Sequence, residues 1–283
     1  MWVKTIFLLL LIYTNSSEEI AIFSNIKIEL KKLALIIRQM DRKVIIIFLS
    51  VAILQTISWY VTSRNFFRIN FSHSLLNDPN VNLYEYLYWF LGDFITLFVL
   101  TALIIKFVLK ENLKDYGLKL GDFKIGLFLS LTFFIVMLPL VWIFSASPDF
   151  VEKYPHLLST RTNWNEFFIY ESALLVYMSA WEFIWRGFML FGLKEKFGYY
   201  SVLIQMIPFV ILHNGKPVAE TFGAIIGGIA LGILAFRTSS IYYCIITHMG
   251  VMFSIDLIST LRYRANDYGV GINSIINIVK SFF

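Results

Sequence analysis

The stretch "SAWEFIWRGFML", residues 179–190, sets Glu182 and Arg186 four positions apart in a run that is otherwise aromatic, aliphatic or small. In a soluble protein this would be a core helix with one ion pair. In lipid, each of those charges costs on the order of 2.5–3.5 kcal/mol at mid-bilayer unless it is paired or solvated in a cavity. The rest of the chain decides which medium applies. Of 283 residues, 58% are hydrophobic and 15% charged, and mean hydropathy is +0.70. Several apolar runs reach about 18 residues or more, too many for one soluble core to hide. The sequence therefore predicts an all-α, polytopic membrane bundle of about seven transmembrane helices around a polar intramembrane cavity.

Spans are predicted at residues 44–62, 84–109, 125–146, 167–193, 201–213, 221–237 and 241–261. The fifth and sixth are short, which lipid tolerates only where backbone lines protein or a cavity. The chain divides accordingly into an N-terminal amphipathic or signal-like segment (1–43), two leading transmembrane helices (44–110), a core (111–261) and a C-terminal tail (262–283). Basic residues cluster at Lys31, Lys32, Arg38, Arg42 and Lys43, at Lys110, Lys114, Lys119 and Lys124, at Lys194 and Lys196, and at Arg237. Those ends are expected to face the cytoplasm, and the segments 63–83 and 147–166 the opposite side. "KTIFLLLLIYTNSS", residues 4–17, has the charged start and short apolar core of a signal sequence but no small-residue cleavage site. Asn25–Arg42 reads as a basic amphipathic helix on the inner membrane surface, and Met40 would serve as an alternative start. The single cysteine, Cys244, excludes a disulfide framework and a cysteine-rich zinc site. A net charge of +5 fits basic loops rather than nucleic-acid binding.

The spans bury Asp93, Glu171, Glu182, Arg186, His213, Glu220, His248 and Asp256. At about 1.5 Å per residue, Glu182 lies about 18 Å from Lys194, His213 about 20 Å from Tyr200 and His248 about 11 Å from Ser240. Three helices thus bring a carboxylate and two imidazoles to similar depth. Glu182 and Arg186, one turn apart with the acid first, can pair on one face, while His248, Met252 and Asp256 share another. These are the parts of a hydrolytic site. The glutamate can take a proton from water, the imidazoles can hold a metal or donate to an oxyanion, and the arginine keeps the carboxylate charged. Two imidazoles and one carboxylate also suffice for catalytic Zn2+ with an open water position, which makes His213, His248 and Glu182 the candidate ligands. Glu220 and Asp256 are secondary candidates.

A structural reading stands beside this one. Glu182 with Arg186 could only lock two helices, and a lone histidine such as His213 could only bridge them by a hydrogen bond. Asp93 and Glu171 read as packing or cavity-lining groups, and "GAIIGGIALG", residues 223–232, as a close-packing helix surface. Other intramembrane hydrolases lack their motifs here: there is no HExxH run and no GxSx serine. An aspartyl mechanism would need Asp93 and Asp256 to meet across helices.

The order "EFIWRG" (182–187), "FVILH" (209–213) and His248 resembles the CPBP or Abi family of intramembrane proteases, which includes the CaaX prenyl endopeptidases. Its signature is EExxxR, then FxxxH, then HxxxN or HxxxD. "KDYGLKLGDFKIGL", residues 114–127, is similar to the segment leading into that family's core helices, so the resemblance spans residues 110–261. "HNGKP" (213–217) together with the Trp-Glu first motif is similar to a bacterial branch. Two positions depart from the pattern. Trp181 stands where the family has its first glutamate, usually assigned to activating water, and Met252 stands where it has asparagine or aspartate. The resemblance implies an intramembrane endopeptidase of a bacterial inner membrane, acting on a membrane-embedded peptide or protein. Glu182, Arg186, His213 and His248 would then be catalytic, with a metal in some members. The alternative is a non-catalytic scaffold, chaperone or immunity protein that lost turnover with the first glutamate. Carboxylate and imidazoles within about 5 Å of one another are expected on the first reading, and a Trp181 ring filling the cavity on the second.

Overall fold

The computed structural model describes residues 16–280, all helices and connecting turns with no strand among them. The signal-like residues 4–15 lie outside the described residues. The chain forms two compact units, 1–45 and 46–283. In the first, α1 (Ser16–Gln39) interleaves apolar and basic residues. It is followed by Asp41, whose carboxylate accepts from the backbone N–H groups of Lys43 and Val44 at 2.9 and 3.1 Å and so starts the next helix.

That helix is α2 (Arg42–Tyr60). It is followed by α3 (Arg64–Asn70), α4 (Val81–Leu109), α5 (Phe123–Phe144), α6 (Pro148–Lys153), α7 (Trp164–Phe197), α8 (Tyr200–Ile211), α9 (Val218–Thr238), α10 (Tyr242–Ala265) and α11 (Ile272–Lys280). Six of these, α2, α4, α5, α7, α9 and α10, are long and apolar enough to cross a membrane, while α8 has only 12 residues. The chain is an integral membrane helix bundle. Phe128, Ile135, Phe222 and Ile226 stand exposed on α5 and α9, an outer surface suited to lipid rather than water.

The short fifth span is as expected, but the sixth is a full 21 residues. Pro217 initiates it at Val218, where a fixed φ and a missing N–H cost a helix start nothing. The fourth is longer than 167–193, at 34 residues. Asn163 begins it by accepting from the N–H groups of Asn165 and Glu166, and Gly198 with φ +53° ends it. α10 likewise runs past residue 261. Arg262, fully buried, donates to Ser145 Oγ and to the carbonyls of Trp142 and Gly269. The expected tail therefore begins inside the bundle.

α7 is the central helix. Phe183–Phe191 widens into a π-helix in which every residue is buried, so Trp185, Phe188 and Phe191 are core. Phe98 of α4 packs on Phe183 with ring centroids 4.5 Å apart, and Phe90 on Tyr177 at 5.1 Å. Antiparallel to α7 runs α10, whose start is fixed by the segment before α5. Gly117 and Gly121 both have positive φ, and a Cβ on Gly121 would lie 2.0 Å from the Thr238 carbonyl oxygen. This contact clips the segment to the α9–α10 turn. Ile241 N–H donates to the Gly117 carbonyl, Asp122 N–H to Thr238, and the Tyr243 hydroxyl to the Leu120 carbonyl. The run "KDYGLKLGDF" is thus a brace that sets where α10, and with it His248, enters the bundle.

Candidate active site

α7 delivers Glu182 and Arg186, both fully buried. Four residues apart, they pair on one face, with Arg186 Nη1 donating to Glu182 Oε1 at 3.0 Å. α10 delivers His248, whose Nδ1 lies 2.6 Å from the same carboxylate oxygen. A carboxylate only accepts, so Nδ1 carries the proton and Nε2 is left free. Glu182 Oε1 therefore joins a guanidinium and an imidazole, while Oε2 has no partner, and neither do Nε and Nη2 of Arg186. Uncompensated polar atoms at this depth mark a place that water or a substrate would complete.

α8 supplies the next layer. Phe209 lies beneath the Arg186 guanidinium, 4.1 Å from ring centre to charge. His213 follows one turn on, just beyond the last residue of α8, with its ring 4.5 Å from that of Phe209 and its Nδ1 donating to the Phe209 carbonyl at 2.7 Å. The Phe209 ring also lies 5.9 Å from His248, so this phenylalanine packs against both imidazoles. Both histidines present Nε2 without a proton in the neutral form. Trp181 lines the same side, 6.2 Å from Phe209 and 6.4 Å from His213, stacked on Tyr177 and edge-on to Trp185. It forms a wall of the site rather than separating Glu182 from His248.

A zinc centre requires three protein ligands to converge. The hydrogen bonds held by His213 and His248 are of the kind that orient metal-binding imidazoles. The third ligand fails: Glu182 faces Nδ1 of His248 and Arg186, not the Nε2 side. Among the described residues no three His, Cys, Asp or Glu side chains gather as a ligand set. In this arrangement His213, His248 and Glu182 do not fit a three-ligand zinc site.

The secondary candidates lie elsewhere. Glu220 is held by Lys216 at 2.6 Å and by the Tyr154 hydroxyl, in a cluster where Lys153 also donates to the Gly215 carbonyl. His156 packs against Tyr154 with tilted rings 4.5 Å apart, and burial, with Lys216 adding to it, lowers its imidazole to about 3, so it stays neutral. Asp256 meets Glu171, not Asp93. Asp93 accepts from Thr62 Oγ1 and Trp89 Nε1 and ties α4 to the end of α2. Sequence reasoning missed the part played by Phe209, although its F-x-x-x-H spacing from His213 places both on one helix face.

A protein-family model described as type II CAAX prenyl endopeptidase Rce1-like matches residues 163–254. No curated protein and no solved structure gives a significant match. The matched stretch runs from the cap of α7 to the second turn after His248 and omits the brace and the leading helices. Over residues 163–254, the segment that carries Glu182, Arg186, His213 and His248, this chain matches the Rce1-like family of intramembrane CAAX-type endopeptidases.

Proposed function

We propose that this protein is an intramembrane endopeptidase in which a histidine, oriented by a buried glutamate, activates the attacking water. The observation that carries the reading is the double hydrogen bond at Glu182 Oε1, from Arg186 and from His248. Arg186 keeps the carboxylate ionised. The carboxylate fixes the His248 tautomer and ring orientation and compensates the imidazolium that forms during reaction. His248 is the more accessible partner, with its side chain 12% exposed against 0% for Glu182. Its Nε2 takes one proton from water, and His213 Nε2 accepts a hydrogen bond from the other. The resulting hydroxide adds to the peptide carbonyl carbon. When the C–N bond breaks, the proton on His248 Nε2 passes to the departing amine nitrogen. The unpaired Arg186 N–H groups add positive potential where negative charge develops.

This arrangement also offers an answer to Trp181. With His248 as base, the glutamate missing at that position is not needed for proton transfer. A second reading rests on the unpartnered Oε2 of Glu182, which could itself take the proton. The expected substrate is a peptide or protein held in the bilayer. The basic residues at Lys194 and Arg237 support a cytoplasmic location for those ends. The purified chain is tested by cleavage of membrane-embedded peptides. His213→Ala and His248→Ala should each abolish cleavage while leaving insertion and helix content unchanged, and full cleavage by both variants would refute the reading. If the protein were instead a scaffold, wild type itself would cleave nothing.

A further inference from the structure

α7 and α10 meet at a second acidic point. Glu171 and Asp256, 5% and 0% exposed, lie within hydrogen-bonding reach of each other across the two helices. All four of their carboxyl oxygens are buried, and none accepts from an N–H or O–H donor. The other buried carboxylates among the described residues are all supplied with donors. Glu85 has Arg64 and Arg68, Glu182 has Arg186 and His248, and Asp93 has Thr62 and Trp89. Two facing carboxylates without a cation repel, and each pays for lost hydration as well. One proton between them replaces the repulsion with a strong O–H···O⁻ bond.

We propose that Glu171 and Asp256 form a proton-binding site, a carboxyl pair that holds one shared proton and ties α7 to α10. The titratable groups close enough to act on it electrostatically are Tyr170 of α7, Tyr86 of α4, Tyr154, Lys216 and Glu220. The lysine does not neutralise the pair, because Glu220 holds its ammonium at 2.6 Å. On the Asp256 face of α10, one turn on, the buried Thr260 hydroxyl also has no partner and is free to donate toward the remaining charge. The pair lies about 16 Å along α7 from Glu182 and about 12 Å along α10 from His248, so it takes no direct part in the proposed hydrolysis. Its effect is on helix contact: when the shared proton is lost, the two carboxylates drive α7 and α10 apart.

The test uses the full chain reconstituted in bilayers. Infrared difference spectra of wild type against Glu171→Gln and against Asp256→Asn should each show the loss of one protonated-carboxyl C=O band that shifts in D2O. If neither variant loses such a band, both groups are ionised and the proposal fails. Thermal unfolding gives a second readout. The wild-type midpoint should fall on raising pH, and Glu171→Gln, whose amide donates to Asp256 without a titrating proton, should fall less. Equal pH dependence in the two proteins would overturn the proposal. So would a rise in the wild-type midpoint on adding Na+, Mg2+ or Ca2+ that Glu171→Gln abolishes, because the pair would then be a cation site.

Discussion

The same two helices, α7 and α10, touch through acids at both ends of their contact, and the two ends are chemically opposite. At one, Glu182 is joined by Arg186 and His248, so a charge is compensated at a point that opens to a half-buried imidazole. At the other, Glu171 and Asp256 have only each other. Burial alone does not distinguish them, since all but His248 are essentially sealed. The partners do. A carboxylate with a cation and an imidazole can hold charge and move a proton, whereas a carboxyl facing a carboxyl stores one. Between them along the two helices come Met178 of α7 and Met252 of α10, both 5% exposed.

The largest expected effect breaks the first end without touching the second. Glu182→Gln keeps an acceptor for His248 Nδ1 but removes the compensating charge, and should lower cleavage by about a hundredfold or more. Glu171→Gln should leave cleavage near wild type, and comparable losses in both variants would erase the distinction between the ends. Arg186→Ala removes one partner of a buried pair and should destabilise by about 3–5 kcal/mol. A lowered unfolding midpoint in lipid or detergent would show it, and Arg186→Lys should recover part of the loss. Gly121→Ala attacks the brace that sets the entry of α10. Its positive φ and the 2.0 Å approach to the Thr238 carbonyl predict a loss of about 1–3 kcal/mol, visible in the same unfolding measurement. The smallest effect belongs to Trp181→Phe, which trims a wall of the site and should cost about 1 kcal/mol with cleavage within severalfold of wild type.

The first end was legible in the sequence because its signals are local. Glu182 and Arg186 pair by helical spacing, and counting residues from the basic ends placed His213 and His248 at similar depth. The second end was not legible, because Glu171 and Asp256 are 85 positions apart and each alone reads as a packing group. A signal existed all the same. Once antiparallel α7 and α10 are registered by Glu182 against His248, moving toward the opposite ends brings residues 171 and 256 to within about one helical turn of each other. The zinc expectation rested on residue types at one depth. Depth says nothing about which imidazole nitrogen a carboxylate faces, and Glu182 faces Nδ1. The length of α9 and α7 was misjudged because caps such as Pro217 and Asn163 extend a helix beyond its apolar run.

The central claim is that the His248 imidazole, held by Glu182, accepts the proton of the attacking water. It is tested most directly by chemical rescue: His248→Gly is assayed for cleavage of a membrane peptide with and without added imidazole. The account predicts that His248→Gly is inactive alone, that imidazole restores measurable cleavage, and that the restoration disappears when Glu182→Gln is added. Cleavage by His248→Gly at the wild-type rate without imidazole would contradict it.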